Sequence, residues 1–270
     1  MMTKSNQEYP TNLNDTEWKQ IAPYLPRAKR KGRPREIPWR AIMNGIFYIV
    51  KNGCVWRDLP HEFPAWQTVY YYFRQFGKNR MWEKLNTIIR ERVRIQAGRS
   101  PQASAMILDS QSIKSAEGGE KIGFDGGKLI KGRKRNVITD TMGLVVLAKV
   151  TAADVQDVYA GEETLVKLKK RKSLRARLQK IFADGGYRGH LVDWVKNELQ
   201  AEITFILKVG NQKGFQVLPK RWVIERTNAW ITRNRRMARD YERLVQSSES
   251  FIYILMIRLG LRRLAKFKIY

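Results

Sequence analysis

Apolar residues recur at helical spacing through the first hundred positions of the chain. Ile42, Ile46 and Val50 stand four residues apart on one helix face, and Pro38 and Gly53 mark where that helix begins and ends. The same spacing predicts three further short helices, over Thr16–Leu25, Gln67–Phe76 and Met81–Gln96. Short helices joined by tight loops are compatible with a helix-turn-helix-like module. The pattern therefore predicts an all-helical N-terminal domain over residues 1–98, which we expect to bind DNA once charge is considered.

After a linker at Gly98–Pro101 the pattern changes to short apolar runs that alternate with helical segments. The predicted strands are Ala105–Leu108, Asn136–Thr139, Leu144–Val150, Ile181–Ala183 and Ile203–Leu207. The predicted helices cover 158–168, 191–199, 220–245 and 248–266. Three consecutive strands followed by alternating helices and strands are the order of ribonuclease-H-like domains. We therefore predict the α/β class for residues 99–270, with a ribonuclease-H-like mixed sheet flanked by helices.

Three carboxylates stand where such a fold places its functional residues. Asp109 and Asp184 each directly follow a short apolar strand, and polar residues at the carboxyl ends of strands line the crevice of α/β sheets. Glu225 stands near the start of the helix predicted over 220–245, on a polar face with residues 228, 232, 235 and 239. Mg²⁺ prefers carboxylate oxygens, and two such ions can stabilise the attacking and leaving oxygens of a phosphodiester displacement. These three residues are therefore the candidate catalytic and metal-binding set.

Each carboxylate taken alone has a simpler interpretation. Asp109 could cap the turn after its strand, and Asp184 stands before a Gly-Gly pair that is typical of turns. Glu225 could form an intrahelical ion pair with Arg221, four residues earlier. The catalytic interpretation therefore depends on all three lying together in the fold.

The charge balance favours a polyanionic partner. Lys and Arg number 52 against 25 Asp and Glu, which gives a formal net charge of +27. Repulsion among so many positive charges opposes a compact fold unless a polyanion neutralises them, and nucleic acid is the leading candidate for that polyanion. The single cysteine excludes a disulfide framework and fits a reducing compartment. We see neither a leader peptide nor an apolar run near the roughly 20 residues of a membrane span, so we expect a cytoplasmic, nucleoid-associated protein with no membrane partner.

Several longer motifs carry a resemblance to a known family. They are ILDSQSIK (107–114), KGRKR (131–135), TAADVQD (151–157), FADGGYRG (182–189), RWVIERT (221–227) with NRR (234–236), and in the helical part VWRDLP (55–60) and FPAWQTVY (63–70). With these motifs the chain resembles bacterial insertion-sequence transposases of the DDE type, most closely the group of the fifth insertion-sequence family. The likeness spans nearly the whole chain, and the motifs are specific together although each alone is weak.

The resemblance implies a transposase that binds the terminal inverted repeats of its own element. Such an enzyme hydrolyses a phosphodiester to free a 3′-hydroxyl, which then attacks target DNA. The family's catalytic triad falls on Asp109, Asp184 and Glu225, which would hold two Mg²⁺ ions, with Mn²⁺ able to substitute. Double-stranded DNA is the implied partner, bound by a homodimer that brings two ends together. We expect contacts to DNA from six arginines: Arg33, Arg35, Arg221, Arg226, Arg235 and Arg236.

The chain departs from the family pattern at two positions around the glutamate. Leu218 stands where the family often has a tyrosine, and Thr232 where it often has a lysine. Arg233, Arg235 and Arg236 are the candidates to hold the cut DNA end in their place. Three other functions stay open: a DDE-type nuclease without strand transfer, a catalytically inactive DNA-binding protein, and an RNA-binding structural protein.

Overall fold

Four helices form the N-terminal part of the computed structural model, which describes residues 9–27, 35–116, 118–206 and 221–266. They are α1 (Asp15–Ile21), α2 (Trp39–Asn52), α3 (Trp66–Lys78) and α4 (Met81–Gln96). A capping box begins α1, in which the Glu17 amide donates to the Asn14 side chain and the Asn14 amide donates to the Glu17 carboxylate. Gly53 ends α2 in the left-handed conformation, at φ 75°. The predicted all-helical N-terminal region is thereby confirmed.

Six strands among the described residues form one mixed sheet. They are β1 (Ala105–Lys114), β2 (Gly123–Asp125), β3 (Ile130–Asp140), β4 (Val145–Ala152), β5 (Lys180–Asp184) and β6 (Glu202–Ile206). The antiparallel partners of β3 are β1 on one side and both β2 and β4 on the other. On the far side of β1, β5 and β6 continue the sheet in parallel. This topology agrees with the predicted ribonuclease-H-like sheet.

The two faces of the sheet are covered by different helices. The C-terminal helices are α5 (Asp157–Lys169), α6 (Leu191–Leu199), α7 (Arg221–Thr232) and α8 (Val245–Lys266). Successive residues of a strand point to opposite faces. Accordingly, Met106 and Leu108 of β1 pack in one core with residues of α5 and α6, whereas Ile107 packs in the other core with residues of α4 and α8.

The last helix of the chain packs among the first four. α8 is buried over most of its length and contacts α1, α2, α3 and α4 as well as β4. Gly260 lets α4 approach closely, because a Cβ at this position would collide with the side chain of Ile89. The helical and sheet regions therefore share one hydrophobic core, and the division at residues 98 and 99 stays a prediction. No helix in the described ranges is both long and apolar enough to cross a membrane.

The prediction of one helix over 220–245 is wrong. α7 ends at Thr232, a single 3₁₀ turn covers Arg235–Met237, and α8 begins only at Val245. Buried arginines of β3 explain the break. Arg135 donates to the carbonyl oxygen of Met237 (2.9 Å), and Arg133 donates to the carbonyl oxygens of Glu242 (2.6 Å) and Arg243 (2.9 Å). These bonds hold the segment after α7 against the sheet, and residues 235 and 239 therefore do not share a helix face with Glu225.

Two strand predictions also need correction. β1 runs on to Lys114, so Asp109 lies inside a strand and not directly after one, and the short strand β2 was missed. The second half of β1 is largely polar and lacks the apolar alternation that predicts a strand. It is nevertheless held in register by pairing with β3, from Asp109 opposite Val137 to Lys114 opposite Gly132.

Candidate active site

Parallel pairing of β1 with β5 brings Asp109 and Asp184 side by side. Ile107 of β1 pairs with Phe182 of β5, and each aspartate lies two residues further along its own strand. Residues two apart in a strand share a face, so both carboxylates emerge on the face of Ile107. The sequence identified both residues, and the structure shows that they meet because β5 ends where β1 continues.

The Asp109 carboxylate has an unusual environment. Burial raises its pKa to about 6, and the negative charge of Asp184 acts in the same direction. The Ser110 amide, the Lys128 ammonium and Asn228 oppose this rise. Nδ2 of Asn228 on α7 lies 3.4 Å from Oδ2 of Asp109, so α7 contacts the aspartate pair directly.

Glu225 lies on α7, one helical turn before Asn228. Residues three apart on a helix are neighbours, about 5–6 Å apart between Cβ atoms. The side chain of Glu225 is exposed. Within the described ranges, no three carboxylate, imidazole or thiol groups stand close enough together to hold a metal ion. The structure thus brings Asp109 and Asp184 together and places Glu225 one turn from the residue that contacts them.

A second set of polar residues supports the aspartates from the opposite face of β1. Ser110 Oγ donates to Oδ1 of Asp157 at 2.8 Å, and Lys134 Nζ lies 2.8 Å from the same oxygen. Tyr187 is fully buried beside this group, and burial raises its pKa well above the usual value, with Asp109 and Asp157 adding to the rise. From the sequence, Asp157 is distinguished only as the last residue of the TAADVQD motif. Its contact with Ser110, the residue next to Asp109, is set by the tertiary structure.

The six arginines expected to contact DNA have different environments. Arg33 lies outside the described residues, and Arg221 begins α7 with a side chain that is also outside them. The guanidinium of Arg35 stacks on Trp39 at 3.9 Å, and its Nε donates to the carbonyl oxygen of Ile37. Arg35 is thus held in place by its neighbours at the edge of the helical region.

Arg226 is held between two tryptophans on α7. Its guanidinium lies 4.4 Å from the ring of Trp222 and 4.8 Å from that of Trp230, and Nη2 donates to the carbonyl oxygen of Met142. Burial lowers the pKa of this arginine. Arg226 therefore packs α7 against the β3–β4 turn.

Arg235 and Arg236 differ although they are adjacent. Arg235 is exposed. Arg236 is buried, forms an ion pair with Glu242 and donates to the carbonyl oxygen of Cys54. Arg235 is accessible to a DNA phosphate, whereas the burial of Arg236 favours a structural role.

Comparisons with known proteins agree with this geometry. Residues 13–86 match a family model described as a putative transposase of the IS4/5 family, and residues 100–259 match one described as a transposase DDE domain. An insertion element IS402 uncharacterized 16.2 kDa protein of Burkholderia cepacia is 30% identical over 117 residues, which are 41% of this chain and 78% of that protein. A putative transposase for insertion sequence element IS402 of the same organism is 28% identical over 125 residues, which are 45% of this chain and 59% of that protein.

Proposed function

The chain belongs to the IS4/5 family of DDE transposases, and from that premise we propose that Asp109, Asp184 and Glu225 are its catalytic triad. The single observation that carries this proposal is the parallel pairing that sets Asp109 beside Asp184, with Asn228 of α7 against them. Glu225 stands one turn from Asn228, so a change of side-chain rotamer would direct its carboxylate toward the pair.

A DDE domain implies divalent metal ions, and the carboxylate oxygens of Asp109 and Asp184 are ligands of the type that hard cations prefer. Two adjacent carboxylates, one of them with its pKa raised by burial and by its neighbour, form a donor pair that a hard cation would relieve. We propose that Asp109, Asp184 and Glu225 hold two Mg²⁺ ions, for which Mn²⁺ can substitute. When bound, such ions stabilise negative charge on the attacking and leaving oxygens of a phosphodiester displacement.

The protein's own groups orient the carboxylates. Asn228 and the Ser110 amide hold the Asp109 side chain. The Gly186 amide donates to Oδ1 of Asp184 at 2.9 Å, which fixes the second carboxylate at the end of β5. Lys128 on the β2–β3 hairpin adds a positive charge near Asp109, where a DNA phosphate would need it.

The proposed reaction has two steps. In the first, a water oxygen attacks phosphorus at the element end, and the 3′-oxygen leaves as a 3′-hydroxyl. In the second, that hydroxyl oxygen attacks a target phosphodiester, and the target's own 3′-oxygen leaves with a proton. We propose that the protein recognises terminal inverted repeats and acts as a homodimer, because two ends must be joined to one target. Arg235 is the accessible candidate for a backbone phosphate near α7, with Arg33, Arg35, Arg221 and Arg226 as further candidates.

The triad is tested with Asp184→Asn and Glu225→Gln. Duplexes that carry the element ends are incubated with Mg²⁺ to measure cleavage, and pre-cleaved ends are incubated with a plasmid to measure joining. We expect both variants to lose both activities and to keep DNA affinity within a few-fold. Asp193→Asn, an exposed acid on α6, is the control and should behave as the wild type.

Three results would contradict the proposal. Cleavage retained by Glu225→Gln would remove Glu225 from the triad. A large loss of DNA affinity in Asp184→Asn would make that residue structural. Cleavage without joining in the wild type would favour a DDE nuclease over a transposase.

A further inference from the structure

A cavity of about 280 Å³ lies between α2, α7 and α8. It is on the opposite side of α7 from the aspartate pair. Asn228 contacts Asp109, whereas Trp230 lines the cavity. Two residues that are two positions apart on a helix are separated by about 200° around the helix axis. The ridge between these two sides carries Glu225 and Arg233, both exposed.

The lining of the cavity divides into a buried apolar floor and a cationic rim. Phe47, Val50 and Leu255 are buried. The exposed residues of the lining are all cationic: Lys51, Arg233 and Arg262. None of the described lining residues is acidic. An apolar floor below a positively charged rim fits a ligand with an apolar body and an anionic group.

A fourth cation of the lining is already neutralised. Arg258 Nη1 lies 2.7 Å from Oε2 of Glu17, so this arginine is committed within the protein. Lys51 donates at 3.4 Å to the carbonyl oxygen of Arg233, and Arg262 donates at 3.4 Å to that of Pro10. These acceptors are neutral, and no described lining residue is acidic, so the lining carries a net positive charge that favours an anion there.

The size and rigidity of the cavity fit a nucleobase. A protein cavity of about 150 Å³ holds one benzene ring, and this one is nearly twice as large at about 280 Å³. Trp230 forms a fixed wall, because Arg226 and Arg263 stack against its ring at 4.8 Å and 4.7 Å. A preformed site of this kind loses little conformational entropy on binding.

We propose that this cavity binds one unpaired nucleotide of the DNA strand that crosses α7 from the active site. The base occupies the apolar floor, and its phosphate meets Lys51, Arg233 and Arg262. Trp230 is five residues beyond Glu225, about 7.5 Å along the helix axis, which corresponds to about two nucleotide steps of 3.4 Å. A base must leave its pair to enter such a pocket. The inference rests on the proposed function in that it takes DNA as the substrate.

The test compares two single strands that differ only in their bases. A twelve-residue oligo-dT and a twelve-residue abasic strand with the same phosphates are bound to the full chain in EDTA, so that cleavage plays no part. The wild type should bind oligo-dT at least about fivefold more tightly, the effect of roughly one stacked base. Leu259→Trp fills the cavity without changing its charge, and should abolish this ratio while affinity for the abasic strand stays within twofold.

The cationic rim is tested separately, with exposed side chains whose removal spares the core. Lys51→Ala with Arg262→Ala should weaken binding of both strands and lower the salt slope by about 0.7 for one lost phosphate contact. The matched control is Lys172→Ala with Arg177→Ala, which removes the same charge from an exposed segment before β5. This control should leave the ratio between the two strands unchanged.

Three outcomes would contradict the proposal that this cavity binds an unpaired nucleotide. They are equal affinity of the wild type for both strands, a ratio that survives in folded Leu259→Trp, and a rim variant indistinguishable from its control. Displacement of oligo-dT by equimolar dTMP would assign the cavity to free nucleotides. None of these outcomes affects the triad, whose failure appears only in the cleavage and joining assays.

Discussion

At the scale of single residues, the site depends on which way each side chain of β1 points. Asp109 emerges toward α7, and Ser110 emerges on the opposite face toward Asp157 and Lys134. The sequence identified Asp109 from its apolar strand and its motif. It did not identify Asp157 as a support, because a carboxylate at a helix start has the same local pattern whether it caps the helix or bonds to a distant strand.

The raised pKa of Asp109 predicts a pH-dependent stability change. Its pKa rises from 3.8 to about 6 on folding, so the folded state binds more protons in that interval and loses stability as the pH rises through it. In EDTA, Asp109→Asn should therefore increase the free energy of unfolding at pH 7.5 by on the order of 3 kcal/mol.

At pH 4 the gain from Asp109→Asn should nearly vanish. Urea unfolding at both pH values measures the difference, with Asp193→Asn as the exposed control. An equal gain at both pH values would show that the change acts through packing and not through the charge.

The exposure of Arg235 in the NRR motif predicts that this residue contributes to the salt dependence of DNA binding. Arg235→Ala should weaken binding to duplex DNA of any sequence and lower the slope of log affinity against log salt by about 0.9, because one phosphate contact is lost. Fluorescence anisotropy between 50 and 200 mM salt, as a chosen range, measures this slope. An unchanged slope would exclude Arg235 from the DNA interface.

At the scale of elements, the KGRKR motif is basic, and such a motif would be expected on a solvent-exposed surface, but three of its cationic residues are buried. Arg133, Lys134 and Arg135 are buried, at 0%, 5% and 1% exposure. Their donors hold the chain between α7 and α8 against the sheet, since Arg133 and Arg135 bond to backbone carbonyls at Glu242 and Met237. The spacing of apolar residues within a segment does not indicate contacts with a segment about a hundred residues away. The end of the helix at Thr232 was therefore not predictable from the local sequence.

The buried arginines predict a large loss of stability on truncation. Arg133→Ala would remove the guanidinium that lies 3.3 Å from the buried Asp240 carboxylate, and with it the donors to the carbonyl oxygens of Glu242 and Arg243. Breaking a buried ion pair costs about 3–5 kcal/mol, and urea unfolding should show a loss of that order. Arg243→Ala, an exposed neighbour in the same segment, should change stability by less than about 0.5 kcal/mol. A loss in Arg133→Ala no larger than that in Arg243→Ala would mean that the buried contacts of Arg133 contribute little to stability.

At the scale of the whole molecule, segments that are far apart in the sequence pack against one another. The hydrophobic pattern of the sequence changes near residue 98, and this change predicted two separate domains. α8, the last helix, nevertheless fills the space between α1 to α4 and the sheet. An apolar helix predicted from sequence carries no information about which partner will cover it.

This packing predicts that a fragment of residues 1–98 does not fold alone. Without α8, the buried faces of α2 and α4 would be exposed to water. Circular dichroism and hydrogen exchange should show a fragment without protected amides. Joining residues 245–266 to it through a flexible linker should restore protection, and a stably folded 1–98 fragment would contradict the prediction.

The sequence by itself determined the class of helices and strands, the pair Asp109 and Asp184, and the excess of positive charge. Each of these follows from local spacing, composition or motif. Only the tertiary structure decided that Asp109 and Asp184 are adjacent, that α7 stops at Thr232, and that the KGRKR arginines are buried. These features arise from contacts between residues far apart in the chain, where burial and hydrogen bonding outweigh the preferences of any short segment.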